Sequence, residues 1–66
     1  MFITVNGKKE KLEREITVLE FLQTKGLNTG SYILLYNGSH LKHEDYGLTV
    51  LKENDQLEVL RFVGGG

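Results

Sequence analysis

The stretch Thr17-Val18-Leu19-Glu20-Phe21-Leu22-Gln23-Thr24-Lys25-Gly26-Leu27 carries its own start, apolar side and stop. Thr17 followed by Glu20 at the third position matches a capping box: the threonine oxygen accepts an amide and the glutamate reaches back. Val18, Leu22 and Lys25 fall on one stripe with Phe21 beside it, and such a stripe faces a sheet. Gly26 stands where a left-handed residue ends a helix, with Leu27 as the closing apolar contact. The spacing predicts one short helix, about three turns long.

The flanks read as strands. Asn6-Gly7 and Asn37-Gly38 each follow an apolar segment, and Asn-Gly suits a type I′ turn because both central residues need positive φ. Residues 1–5 form the first strand. Residues 8–16 form the second, with Leu12 and Ile16 as inward anchors and the charges of Lys8-Lys9-Glu10-Lys11 and Glu13-Arg14-Glu15 as a solvated surface. Asn28 to Ser31 is a loop, and the apolar run Tyr32 to Tyr36 reads as a central strand. Ser39 to Gly47 is polar and irregular. Leu48-Thr49-Val50-Leu51 is either a short edge strand or a connector, residues 52–55 are a turn, and residues 56–63 are the last strand. The expected class is α+β: a mixed sheet of four to five strands with one helix packed on one face.

That leaves the other face bare, and parity assigns it, since successive side chains of a strand point to opposite sides. Ile3 and Val5 form the apolar set of the first strand and belong inside, with Leu57 and Val59 as neighbours and Tyr32, Leu34 and Tyr36 inward on the third. The outer face then shows Phe2, Ile33, Leu35, Leu60 and Phe62, a patch that suggests a partner surface.

Composition narrows the chemistry. With 66 residues there is room for one small domain, which buries only about 60% of its unfolded surface. The absence of cysteine excludes disulfides, thiolate metal sites and cysteine-borne sulfur or acyl groups. A net charge of −1, from eight Lys/Arg and nine Asp/Glu, gives no footprint for nucleic acid. No apolar run approaches a membrane span or a signal-peptide core, so no membrane association and a cytoplasmic location are expected. His40 and His43, near Glu44 and Asp45, make a poor metal set, and no metal site is expected. Tyr32, Tyr36 and Tyr46 read as packing residues, and no spacing suggests a catalytic group.

Gly64-Gly65-Gly66 ends the chain. Residues 1–63 read as the domain and 64–66 as a flexible tail. Such a run is either a frayed end or a reactive arm. As an arm it spans about 10 Å when extended. It lacks every Cβ, so it can thread a narrow channel and present its carboxylate to another enzyme's site.

Taken in order, several segments resemble one family. They are Val5-Asn6-Gly7, Thr17-Val18-Leu19-Glu20-Phe21-Leu22 and Tyr36-Asn37-Gly38, then Val50-Leu51-Lys52-Glu53-Asn54-Asp55-Gln56-Leu57-Glu58-Val59 and Arg61-Phe62-Val63-Gly64-Gly65-Gly66. The chain resembles ThiS, the sulfur carrier proteins of thiamine biosynthesis, which share the β-grasp fold of ubiquitin. The resemblance implies a non-enzymatic carrier with no bound cofactor. It implies that an E1-like (ThiF-like) adenylyltransferase adenylates the carboxylate of Gly66 with ATP, and that a sulfur-donor relay enzyme converts it to a thiocarboxylate. A ThiG-like thiazole synthase would then take the sulfur. Gly64 and Gly65 would thread the partner channels. Ser39-His40-Leu41-Lys42-His43 departs from the Val-Pro-Arg-like segment of many members, which bears on the pathway more than on the carrier role. Carriers for molybdopterin synthesis or tRNA thiolation, and ubiquitin-like protein modifiers, are the alternatives.

Overall fold

The computed structural model describes residues 1–27 and 32–61. The expected loop Asn28 to Ser31, and residues 62–66 with Phe62 and the glycine tail, lie outside the described residues. The elements are β1 (Phe2–Val5), β2 (Lys8–Lys11), α1 (Val18–Thr24), β3 (Tyr32–Tyr36), β4 (Ser39–Leu41), a 3-10 helix (His43–Leu48) and β5 (Gln56–Arg61). The strands form one five-stranded sheet in the order β2-β1-β5-β3-β4. β5 runs parallel to β1 and antiparallel to β3, so the sheet is mixed.

The helix is the most locally determined element. Thr17 Oγ1 accepts from Glu20 N at 3.1 Å, and Thr17 N donates to Glu20 Oε1 at 2.9 Å, completing the capping box. At the other end Gly26 has φ 70, Leu27 N donates to Leu22 O and Gly26 N to Gln23 O, both at 3.0 Å. This is the Schellman closure. The helix spans seven residues, shorter than its caps and stripe suggested. It buries Val18, Phe21 and Leu22 against Ile3, Leu34, Leu51 and Leu57. Each large side chain so buried contributes about 1.5–3 kcal/mol before entropy is counted. Lys25 sits at the rim, 2.7 Å from Glu10 and over the Phe21 ring. Being half-exposed, this ion pair adds at most about 1 kcal/mol.

Three expectations need correction. β2 ends at Lys11 rather than at Ile16. Its ladder closes where Leu12 N donates to Met1 O, and Glu13, Arg14 and Glu15 are all exposed, with no apolar side chain to hold a strand down. Leu12 still anchors in the core, and Ile16 packs against it. Ser39 to Gly47 is not irregular but forms β4 and the 3-10 helix, because Asn37 and Gly38 (φ 51 and 87) turn the chain back along β3 whatever its polarity. Tyr32–Tyr36 is an inner strand, but the middle of the sheet belongs to β5. The last strand is described from Gln56 to Arg61, and its expected continuation through residues 62 and 63 lies outside the described residues. The segment at residues 48–51 is a connector: Val50 makes one bridge with Thr17, and Leu51 is fully buried.

The turn before β5 ties three strands together. Asp55 Oδ2 accepts from Tyr36 OH at 2.6 Å and from Lys52 N at 2.8 Å, while its Oδ1 accepts from Asn37 Nδ2 at 3.2 Å. Phe2 N donates to Glu53 Oε2 at 3.0 Å, and Thr4 N to Asp55 O at 2.9 Å. Burial pulls the Asp55 carboxyl upward, but these hydrogen bonds outweigh it and hold its pKa below the ordinary value. The same bond to Asp55, with burial, pushes the Tyr36 hydroxyl up to about 12.

Asp55→Ala is expected to cost about 2 kcal/mol, the scale of hydrogen bonds to a charged acceptor, read from urea unfolding midpoints. The gap between wild type and Asp55→Ala has a defined pH dependence. The carboxylate is favoured in the folded state, so its share is present above the ordinary carboxylate pKa and is lost as pH falls through the lowered one. The Tyr36 proton is favoured in the folded state, so its share is present below about 10 and is lost as pH rises through about 12. A gap of constant size from pH 2 to pH 7 would contradict this account.

Candidate functional site: an apolar face at the end of the last strand

Helix and sheet are packed on one side only, so the alternation within β3 and β5 decides what the free face shows. Leu34 and Leu57 are buried under α1, and Tyr32, Tyr36 and Val59 share their side half-buried. Ile33, Leu35 and Leu60 therefore point outward. Ile33 lies directly opposite Leu60 across the β3–β5 ladder, close enough for the two side chains to touch. Ile33 is 37% exposed and Leu60 44%, with half-buried Leu35 alongside. These three residues make one apolar spot. It sits at the end of β5, beside Arg61, and Gly66 is only five residues further along the chain.

Phe2 does not join them. It shares their face and is 41% exposed, but Thr4 pairs with Gln56 and β1 runs parallel to β5. Phe2 is thus level with Asn54, and Leu60 is about 20 Å further along the sheet. Thr4, Gln56 and Glu58 occupy the face between them. Phe2 is covered instead by Lys9, whose Nζ lies 5.0 Å from the ring centroid. Among the described residues the expected patch is therefore two separate spots. Phe62, Gly64, Gly65 and Gly66 lie outside the described residues.

On the helix side a hollow of about 320 Å³ opens between the end of α1 and the sheet, with Val5, Asn6, Phe21, Lys25, Tyr32 and Val59 among its lining. The lysine there is already paired with Glu10. Shifted proton affinities trace to structural bonds or to burial. Glu20 is lowered by the Thr17 amide and hydroxyl of the capping box, and Tyr46 is raised by burial. His43 packs edge-on against Tyr46 at 5.2 Å, while His40 sits exposed on β4. Among the described residues no cluster of three or more His, Cys, Asp or Glu could hold a metal, and no helix is long and apolar enough to cross a membrane.

Sequence reasoning missed one recurrent device. Both turn asparagines reach past their turns to the backbone of β5. Val59 N donates to Asn6 Oδ1 at 2.8 Å and Asn6 Nδ2 donates to Val59 O at 3.4 Å. Gln56 N donates to Asn37 Oδ1 at 2.8 Å. The repeated Asn-Gly was the available signal, but it speaks of the turn and not of what the carboxamide then touches.

Comparison with known proteins places this geometry. The crystal structure of the thiamine biosynthesis protein ThiS from Geobacter metallireducens superposes with a TM-score of 0.88 at 32% identity, with both chains wholly covered. A solution structure of a thiamine biosynthesis protein from the same organism gives 0.78 at 33% identity, covering all of this chain and 88% of that one. A thiazole synthase of Magnetococcus marinus is 33% identical over 66 residues; the chain spans 20% of the length of that relative. The model of the ThiS family matches residues 3–66. The five-stranded mixed sheet with a single helix across it is the β-grasp fold, and the chain belongs to the ThiS family.

Proposed function

We propose that this chain is the sulfur carrier of thiazole formation in thiamine biosynthesis, with no catalysis of its own. The observation that carries the reading is the whole-chain match to ThiS, which runs through Gly66. A carboxylate is a poor electrophile. A ThiF-like adenylyltransferase would join the Gly66 carboxylate to the α-phosphate of ATP and release pyrophosphate, giving a mixed anhydride. A persulfide carried by a relay enzyme would then attack the carbonyl and displace AMP, and a thiol would reduce the resulting acyl disulfide by cleaving its S–S bond, leaving the thiocarboxylate on Gly66. Attack on the thiazole precursor within a ThiG-like synthase would transfer that sulfur, and water would restore the carboxylate. No cysteine is needed for this cycle, which accords with a chain that has none.

The likeness to part of a thiazole synthase supports the synthase as the acceptor, since a segment similar to this entire chain is joined to that enzyme in one polypeptide. The Ile33–Leu60 spot supports docking beside the tail, because an apolar contact there would hold a partner within reach of Gly66. In this reading Gly64 and Gly65 pass through the partner's channel, where any Cβ would widen the passage required.

Removal of Gly66 is expected to abolish loading while the thermal midpoint stays unchanged. Intact-mass spectrometry after incubation with ThiF-like enzyme, ATP and a sulfur donor reads this as loss of the oxygen-to-sulfur mass shift, and a truncated chain that still acquires sulfur would sink the proposal. Lysine adducts in place of a free thiocarboxylate would indicate a protein modifier. Leu60→Asp is expected to weaken partner affinity about tenfold by calorimetric titration, with stability altered by no more than about 1 kcal/mol because the residue is exposed.

A further inference from the structure

β5 is not held equally along its length. On one side β3 pairs with it from Leu57 to Arg61. On the other side β1 pairs only at Gln56 and Leu57, with a last backbone bond from Asn6 N to Leu57 O at 2.9 Å. Beyond that point β1 turns away into its hairpin, with Asn6 and Gly7 at φ 51 and 81. Among the described residues no strand takes its place. What continues the ladder is the Asn6 side chain: Oδ1 accepts from Val59 N at 2.8 Å and Nδ2 donates to Val59 O at 3.4 Å. A primary amide presents the same donor and acceptor as a peptide group, so one side chain stands in for the next residue of a parallel strand.

We infer that Asn6 is a positioning residue for the terminal arm: its carboxamide, joined to both backbone groups of Val59 where β1 no longer pairs, fixes the end of β5 that precedes the arm. The inference rests on the carrier reading above. Asparagine and glycine both accept this φ, but only asparagine also supplies the carboxamide that bonds to Val59. The carboxamide of Asn37 makes the contrasting case. It reaches Gln56 at the opposite end of β5, where β3 and the Asp55 bonds already hold the strand.

The test uses the full chain with Asn6→Gly, Asn6→Asp and Asn37→Gly. Asn6→Gly keeps the turn and removes the brace. Asn6→Asp keeps the acceptor for Val59 N. Expected for Asn6→Gly is amide exchange at Val59 at least tenfold faster than in wild type, with exchange at Leu34 unchanged. With a ThiF-like enzyme, kcat for adenylate formation should fall about tenfold and KM move less than threefold, because positioning rather than docking is lost. Asn6→Asp should stay within threefold of wild type, and so should Asn37→Gly. Wild-type kcat in Asn6→Gly, or an equal fall in Asn37→Gly, would overturn the positioning role and leave the carrier reading intact. A wild-type chain that is itself never loaded would overturn the carrier reading, and the positioning role with it.

Discussion

The structure depends on the insertion of β5 between β1 and β3. β1 lies at the start of the described chain, β3 near its middle and β5 at its end, and neither hairpin is a sheet without the third piece. β1 and β2 alone, or β3 and β4 alone, are two-stranded ribbons, which are marginal in water. With β5 between them the sheet gains its continuous inner face, and Ile3, Leu34 and Leu57 line up beneath the helix. The braces gather at this strand: Asp55 at its start, Asn37 at Gln56, Asn6 at Val59. Even the Asp55 and Tyr36 proton affinities are by-products of the turn that delivers the chain into this slot.

How much of this could be read from the residues depended on how local the cause was. The helix was legible because both ends are written within its own eleven residues, from Thr17 to Leu27. Both hairpin turns were legible because Asn-Gly pays little for positive φ. β4 was not: Ser39-His40-Leu41 has no apolar alternation, and its strand character comes from the turn before it and from pairing with β3. Nor did any residue announce that the sheet's middle place goes to β5, since that follows from β1–β5 contacts across most of the sequence. The helix came out shorter than its stripe because Lys25 already serves as the cap residue before Gly26.

The site divides along the same line. Parity put Ile33, Leu35 and Leu60 on the free face and Leu34 and Leu57 beneath the helix, because a strand's alternation needs only one anchor. Parity assigns a face but not a height. The height of Phe2 is set by the parallel register Thr4 to Gln56, which carries it away from Leu60 and under Lys9. The bonds from Asn6 and Asn37 to β5 are likewise tertiary: the residues were visible, their targets were not.

Placing β5 mid-sheet also determines how the molecule bears a load. A pull applied at the end of β5, along its axis, does not peel one hydrogen bond after another from an edge. It acts across the bonds to β1 and β3 together, since ladder bonds run across the strand. The bonds then share the force in shear, and rupture requires several to fail at once. An arm leaving such a strand can be drawn taut and released repeatedly without the domain behind it being unravelled.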